Sequence, residues 1–439
     1  MSAPTVLIAA PASGSGKTTV TLAMLRALRR RGRAVGSFKV GPDYIDPGFH
    51  ARASGRPCPN LDSWAMRLDT LTALLSEAAR AADIVIGEGV MGLFDGAPGG
   101  PGSTADVAAL FGLPVILVVD AQAMGASAAA LVEGFLRHRE DVDVAGVMFN
   151  RVAGPTHAAI LREACDDRFS TPILGCLPRD QRLTLPSRHL GLVQAQEHAS
   201  LESFLDDAAS LVEAELNLDR LTRLARWPSI SALPTEARPV PPLGQRIAVA
   251  RDPAFSFVYE ATLTGWRREG AEISLFSPLA DEPPPPGSDA VFLPGGYPEL
   301  HAGVIATRRR FIAGLRAGAA RGTAIFGECG GYMVLGETLI DRAGDAHPMA
   351  GLLPVATSIA EPKRHLGYRE VMLLDNGPLG PAGTRYRGHE FHYASELDRR
   401  APPFIRSWDS RGSDLGESGC RVGTIAGSFL HLIDRTGRA

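Results

Sequence analysis

At 439 residues with 45% apolar side chains, the chain is too long for one hydrophobic core and carries enough apolar material for two or three. A formal net charge of −3 lacks the basic excess of a nucleic-acid binder, so nucleic acid is not expected as a partner. No apolar run reaches bilayer length, the opening "MSAPTVLIAAPASGSGK" has no basic n-region, and the five cysteines form no CxxC pair, so a cytoplasmic protein without membrane partner, disulfide frame or zinc site is expected.

The first half alternates strand and helix patterns. Strands are predicted at 5–10, 34–40, 83–89, 114–120, 145–151 and 172–178, most of them continuous Val/Ile/Leu runs suited to buried parallel positions. Helices are predicted near 17–31, 69–82, 123–138, 155–168 and 199–225, which makes a doubly wound α/β sheet. The segment "WPSISALPTEARPVPPLGQR" (227–246) is proline-rich and aperiodic and reads as a linker. A second alternation follows, with strands at 246–250, 272–276, 289–296 and 323–329 and helices at 255–270 and 304–321; the region after 350 is richer in strand patterns. The expected organisation is an N-terminal domain over 1–226, a linker over 227–244 and a C-terminal α/β domain over 245–436.

"APASGSGKTT" (10–19) joins the first strand to the first helix and departs from GxxxxGK[ST] only in having Pro11 in place of the first glycine. Ser13, Gly14, Ser15, Gly16, Lys17, Thr18 and Thr19 therefore form a candidate ATP-phosphate loop: backbone N–H groups surround phosphate oxygens, Lys17 reaches the β/γ-phosphates and Thr18 binds Mg²⁺. Only Lys17, Lys39 and Lys363 are lysines among the 45 basic residues, so those that remain are candidates for work arginine cannot do. "FKVGPDYIDPGFH" (38–50) places Lys39 and Asp43 at the end of one strand, with Tyr44 and Asp46 beyond them. "GEGVMGLFDG" (87–96) places Glu88 and Asp95 after another. Ligands of open parallel sheets sit at strand carboxyl ends, so Asp43 and Glu88 join Thr18 as candidate Mg²⁺ or phosphate-adjacent groups. Asn150, closing "MFN", is a candidate adenine reader or an ordinary turn residue.

In "IFGECGGYMVLGE" (325–337), Gly327-Glu328-Cys329-Gly330-Gly331 fits a nucleophile elbow, the tight strand-to-helix turn that lifts a reactive side chain above a sheet. A helix N-terminus favours thiolate, and the Gly330 N–H can donate to an oxyanion. "FLPGGYPEL" (292–300) supplies a second glycine turn, with Gly296 as companion oxyanion donor. A thiol nucleophile needs a base, and His365, His389, His392 and His431 are the later candidates. His389 and His392 on one strand would face opposite ways, which argues against their chelating an ion together.

"FGECGGYMVLG", "LPGGYPEL" and "GSFLHL" closely resemble the class I glutamine amidotransferase domain of the corrinoid subfamily. "APASGSGKTT", "KVGPDYIDP" and "EGVMGLFDG" resemble the synthetase domain of the same enzymes, itself similar to dethiobiotin synthetase. Together they span nearly the whole chain and are most similar to the corrinoid a,c-diamide synthases, the opening looking most like those of the aerobic cobalamin route. The resemblance implies a P-loop doubly wound domain followed by a class I glutaminase domain, with L-glutamine, ATP, Mg²⁺ and hydrogenobyrinic or cobyrinic acid as reactants and a homodimer as candidate assembly. It implies that Cys329 is the glutaminase nucleophile and His431 its base, and that Lys39, Tyr44, Asp46 and Asp95 serve the synthetase site. Many class I enzymes add a Glu two residues after the His; here that position is Ile433, with Asp434 next, and the third member stays open. Cobyric acid synthase, which amidates other corrinoid carboxylates with the same domain order, is the competing enzyme reading; CTP synthase shares the general plan and is disfavoured by its fuller glutaminase triad and greater length. A partition-type ATPase fused to an inactive amidase is disfavoured by Ala12, where those ATPases carry a second lysine, and by the intact Cys329 elbow.

Overall fold

The apolar runs of the first half become buried strands: β1 (Thr5–Ala9), β2 (Val35–Val40), β3 (Asn60–Leu61), β4 (Ile84–Glu88), β5 (Val115–Asp120), β6 (Val144–Val152) and β7 (Ile173–Pro178). They form one seven-stranded sheet in the order β3-β2-β4-β1-β5-β6-β7, every neighbouring pair parallel. The computed structural model describes residues 2–166, 168–180, 183, 187–188, 191–192, 200–230 and 236–436. Because β1 lies between β4 and β5, the winding reverses beside it, and the carboxyl ends of β1, β2 and β4 open onto one edge, where α/β proteins hold their ligands. Helix α1 (Lys17–Arg30) follows β1 and buries Val20, Leu22, Met24, Leu25 and Leu28 in the core. Helix α2 (Asp46–Ser54) follows β2 and ends at Gly55, whose φ of 76° suits a left-handed C-cap.

The chain divides into two compact units, the first made of Met1–Ser63, Leu71–Gly96 and Pro101–Thr235 and the second of Trp64–Thr70, Ala97–Gly100 and Glu236–Ala439. In the second unit a six-stranded sheet runs, in spatial order, Glu272–Phe276, Arg246–Ala250, Ala290–Leu293, Ala324–Glu328, Ile425–Ser428 and Cys420–Val422. Its first five strands are parallel and its last pair antiparallel. The expected strand-rich region supplies a five-stranded antiparallel sheet in which His365–Leu373, Arg385–His392 and Leu430–Arg435 lie side by side. A shared core of Ile247, Val249, Phe292, Phe326, Val371, Tyr386 and Leu432 underlies the two sheets.

Three expectations are refined. The helix expected over 199–225 is two, Leu201–Glu215 and Leu218–Leu224, because the Asn217 side chain accepts the Arg220 N–H at 2.8 Å and restarts the winding. The helix expected over 304–321 breaks into Ala302–Ala306 and Arg309–Ala320, with Arg308 out of helical geometry between them. The proline-rich run is not slack over its second half: Val240 and Leu243 are buried, and Trp266 Nε1 donates to Val240 O at 3.1 Å. Residues 231–235 lie outside the described ones. Among the described residues, no helix is long and apolar enough to cross a membrane.

Candidate active sites

The first site is built at the carboxyl ends of β1, β2 and β4. The chain leaves β1 through residues 10–16 with Gly14 at φ 81° and Gly16 at φ 90°, the left-handed region that glycine enters without strain. A side chain at Gly16 would also meet Asn150 Nδ2 at 2.2 Å. Asn150 donates to Ser15 O at 2.9 Å, which ties the loop to the end of β6. Thr18, in the first turn of α1, donates to Glu88 Oε1 at 2.6 Å and lies 3.3 Å from Asp46 Oδ2. Lys39 ends inside the protein, 3% exposed, with Nζ 2.6 Å from Asp46 Oδ2 and 2.7 Å from Glu88 Oε1. Lys17 donates to the Met91 carbonyl. Opposite charges thus interlock at hydrogen-bonding distance. Burial opposes ionisation of Glu88, yet Lys39 and His50 hold its carboxyl below the usual range. Burial likewise opposes the Lys39 charge, and Asp46, Glu88 and Asp43 outweigh it. Burial and then repulsion from Lys39 lower Lys17 to about 8. Burial and then Asp43 push Asp46 up to about 7.

The second site lies where strand Ala324–Glu328 turns into helix Gly330–Leu335. Cys329 forms the elbow at φ 50° and ψ −107°, a strained backbone for a residue with a side chain. Its N–H donates to Ser428 O at 2.8 Å, and its carbonyl accepts the Met333 N–H at 3.3 Å. The flanking glycines are steric necessities: a Cβ on Gly331 would sit 1.9 Å from Leu293 O, and one on Gly327 2.8 Å from Gly331 O. A Cβ on Gly330 would stand 3.3 Å from Gly296 N, so the Gly330 and Gly296 backbones pack close together. A Cβ on Gly295 would be 2.6 Å from His431 Cε1 and 3.2 Å from Cys329 Cβ, so imidazole and thiol side chains converge on that glycine.

His431 is 1% exposed, and its Nδ1 lies 3.1 Å from Glu328 Oε1. The Leu432 N–H donates to Glu328 Oε2 at 3.2 Å. The His389 ring stacks on His431 at 4.9 Å. Burial dominates here. It raises the Cys329 thiol well above its ordinary value, Glu299 and Glu328 adding to it, while the Gly330 N–H acts the other way. It pushes Glu328 up to about 8 and, with His392, draws His431 down to about 3. The resting site is poor in charge.

The comparisons with known proteins match both halves. Residues 6–193 match the family described as the CobQ/CobB/MinD/ParA nucleotide binding domain, and residues 246–438 the CobB/CobQ-like glutamine amidotransferase domain. A hydrogenobyrinate a,c-diamide synthase of Brucella abortus is 55% identical over 99% of this chain and 99% of its own. Proteins of the same name from Rhizobium meliloti (52% identical, 98% of this chain and 99% of theirs) and Rhodobacter capsulatus (53%, 97% and 98%) are similar throughout. The chain belongs to the hydrogenobyrinate a,c-diamide synthase family. It is a glutamine-dependent amide ligase, and the family carries out glutamine-dependent amidation in cobalamin biosynthesis.

Against that family background, the placement of the singled-out residues is informative. Thr18, Lys39, Asp46 and Glu88 meet directly, and Asp46 rather than Asp43 is the acid beside Thr18. Asp43 Oδ1 instead accepts the N–H groups of Ile45 and Asp46 at 2.8 and 3.0 Å and starts α2, while its Oδ2 lies 3.9 Å from Lys39. Asp95 Oδ2 accepts the Gly92 N–H at 2.9 Å and shapes the turn after β4. Thr19 Oγ1 turns to Leu183 O at 3.4 Å, away from the carboxylates. Tyr44 lies in the turn into α2 and Ser13 at the exposed tip of the phosphate loop.

Two groups escaped the sequence reading. His50, fully buried, lies 2.6 Å from Glu88 Oε2, and its signal was the i,i+4 spacing from Asp46 on α2. Glu328 stands against His431, inside a motif that drew notice only for its cysteine. His365, Glu390 and His392 bring three possible ligand atoms within 4.8 Å. The two rings stack at 4.6 Å and 7°, however, and parallel imidazoles cannot both aim in-plane lone pairs at one ion. Arg369 holds Glu390 Oε2 at 2.9 and 2.7 Å, which makes the trio a side-chain brace.

Proposed function

We propose that the chain converts the a and c carboxylates of metal-free hydrogenobyrinic acid to amides, with ATP, Mg²⁺ and ammonia cut from L-glutamine. The observation that carries the reading is the convergence of the Cys329 and His431 side chains on Gly295, in a chain that also carries the Lys17–Thr18–Glu88 site. The choice of ring follows the name shared by the relatives.

In the glutaminase half, the Cys329 proton passes to His431 as Sγ bonds to the side-chain amide carbon of glutamine. The carbonyl oxygen, now an oxyanion, is met by the Gly330 and Gly296 N–H groups; losing one such donor costs about 3 kcal/mol of barrier. The C–N bond breaks, His431 returns the proton to the leaving nitrogen, and ammonia departs from a glutamyl thioester. Water then adds to the thioester, releasing glutamate and restoring the thiol.

In the synthetase half, a ring carboxylate has no usable leaving group until its oxygen attacks the γ-phosphorus of ATP and ADP leaves. Ammonia then attacks the acyl phosphate, inorganic phosphate and a proton depart, and the amide remains. The loop amides of residues 13–17 and the Lys17 ammonium hold phosphate oxygens in this reading. Thr18, Asp46 and Glu88 offer the hard oxygen donors that suit a magnesium ion, which offsets phosphate charge when bound. Lys39, clamped between Asp46 and Glu88, orders both side chains and helps to hold Glu88 ionised. Asn150 braces the loop. A cytoplasmic setting and a homodimeric assembly belong to the same proposal.

The test is incubation with ATP, Mg²⁺, glutamine and either hydrogenobyrinic or cobyrinic acid, followed by mass spectrometry. Two acid-to-amide exchanges on the metal-free ring are expected. Exchange on the cobalt ring alone would move the substrate assignment, and none on either ring would contradict the proposal.

A further inference from the structure

The expected partner for a catalytic histidine of this class is an acid two residues further on, and this chain has Ile433 there, 2% exposed in the core. The adjacent acid, Asp434, is also spoken for. Its carboxylate accepts the Arg67 main-chain N–H at 2.8 Å and the Arg67 guanidinium at 2.8 Å, and it accepts the Arg435 N–H at 2.8 Å. The carboxyl that meets the imidazole comes instead from the residue before the nucleophile, 3.1 Å from Nδ1.

We infer that Glu328 is the third member of the thiol–imidazole set, a positioning residue that fixes the His431 ring through Nδ1 and stabilises the imidazolium formed when Cys329 gives up its proton. The inference rests on the reading of Cys329 and His431 as the glutaminase pair.

The elbow explains how neighbours in sequence serve opposite ends of one reaction. Glu328 is the last residue of its strand and Cys329 has left strand geometry at φ 50°, so the two side chains diverge from a single bend. The Glu328 oxygens grip residues 431 and 432 together, one at the ring and one at the Leu432 N–H. A ring whose Nδ1–H donates to Oε1 keeps Nε2 as the lone pair that can take the thiol proton. The carboxyl also borders an apolar pocket walled by Val240, Phe257, Trp266, Phe292 and Phe326, where an imidazolium gains more from a nearby carboxylate than it would in water. The same burial makes the resting pair neutral-leaning, Glu328 being pushed up to about 8. Cys329, Glu299, His389, Glu390 and His392 are the other titratable groups that bear on the pair.

The sign of the pH effect follows. Either form of the carboxyl can accept from Nδ1–H, but only the ionised form carries the charge that steadies the cation, and its ionised fraction rises as pH passes about 8. The advantage of the native enzyme over a Glu328→Gln variant therefore grows with pH, which a purely structural role would not produce.

The experiment compares native enzyme, Glu328→Gln and Glu328→Asp for glutaminase kcat and KM across neutral to alkaline pH, with ammonia-dependent amidation measured alongside. Glu328→Gln is expected to lower kcat about 10²-fold or more with little change in KM, to keep the ammonia-dependent reaction, and to fall further behind as pH rises. Glu328→Asp, which retains the charge, is expected to recover part of the loss. A Glu328→Gln enzyme with near-native kcat, or a deficit that is flat with pH, overturns the inference. A native enzyme that releases no glutamate from glutamine overturns the underlying reading instead. If Glu328→Gln loses the ammonia-dependent reaction as well, the decision passes to ¹⁵N-histidine NMR of the native chain: a Nδ1-protonated His431 supports the inference and a Nε2-protonated one overturns it.

Discussion

The two sites handle charge in opposite ways. Around β2, β4 and α2, a lysine, a histidine and three carboxyl groups are crowded into ion pairs as short as 2.6 Å, and the Lys39–Glu88 pair at its centre is charged at rest. Around the Cys329 elbow, a thiol, an imidazole and a carboxyl are equally buried, yet burial pushes each toward its neutral form. The difference tracks the chemistry each must do. Phosphoryl transfer begins and ends with highly charged groups, so its site needs fixed charges already aimed. Thiol attack on an amide begins neutral and creates a charge pair only as it proceeds, so a site that suppresses resting charge and stabilises it on demand binds the transition state selectively.

That contrast can be broken at either end. Cys329→Ala should abolish glutamine-dependent amidation, about 10⁴-fold or more, while ammonia-dependent amidation continues; loss of both in parallel would mean the sites are not separable. Lys17→Ala should do the reverse, lowering both glutamine- and ammonia-dependent amidation about 10²- to 10³-fold with glutamine hydrolysis still measurable. Gly295→Ala places a methyl 2.6 Å from His431 Cε1, so the ring must move, and glutaminase kcat should fall about 10²-fold in a protein that still binds ATP. The smallest effect is on stability. Arg67→Ala leaves the fully buried Asp434 without its guanidinium and should cost about 1–3 kcal/mol in a denaturant titration, with a nearly native glutaminase rate because Asp434 does not serve His431.

The sequence was more legible at the charged site's loop than at its centre. Glycine spacing, the rarity of lysine and the strand-to-helix order were enough to place residues 13–19, because a phosphate loop is local in sequence. The partners of Lys39 and Glu88 were not readable, since Asp46 reaches Lys39 and His50 reaches Glu88 only once α2 has folded against β2. At the elbow the nucleophile was plain for the same local reason, whereas choosing among four histidines required the pairing of distant strands that sets His431 opposite His389. Glu328 was hidden in the open. An acid beside a nucleophile carries no periodic signal, and only the bend at Cys329 reveals that it faces the imidazole. The breaks at Asn217 and Arg308 were missed because each interrupts a pattern that stays helical on both sides.

The central claim is that nitrogen cut from glutamine at Cys329 is what the phosphate-activated ring acid captures. Supplying amide-¹⁵N glutamine with ATP, Mg²⁺ and hydrogenobyrinic acid, and weighing the product, tests it directly. Label in both new amide groups is the predicted result; product that carries no label, or glutamine that stays intact while the ring is amidated, would contradict the account.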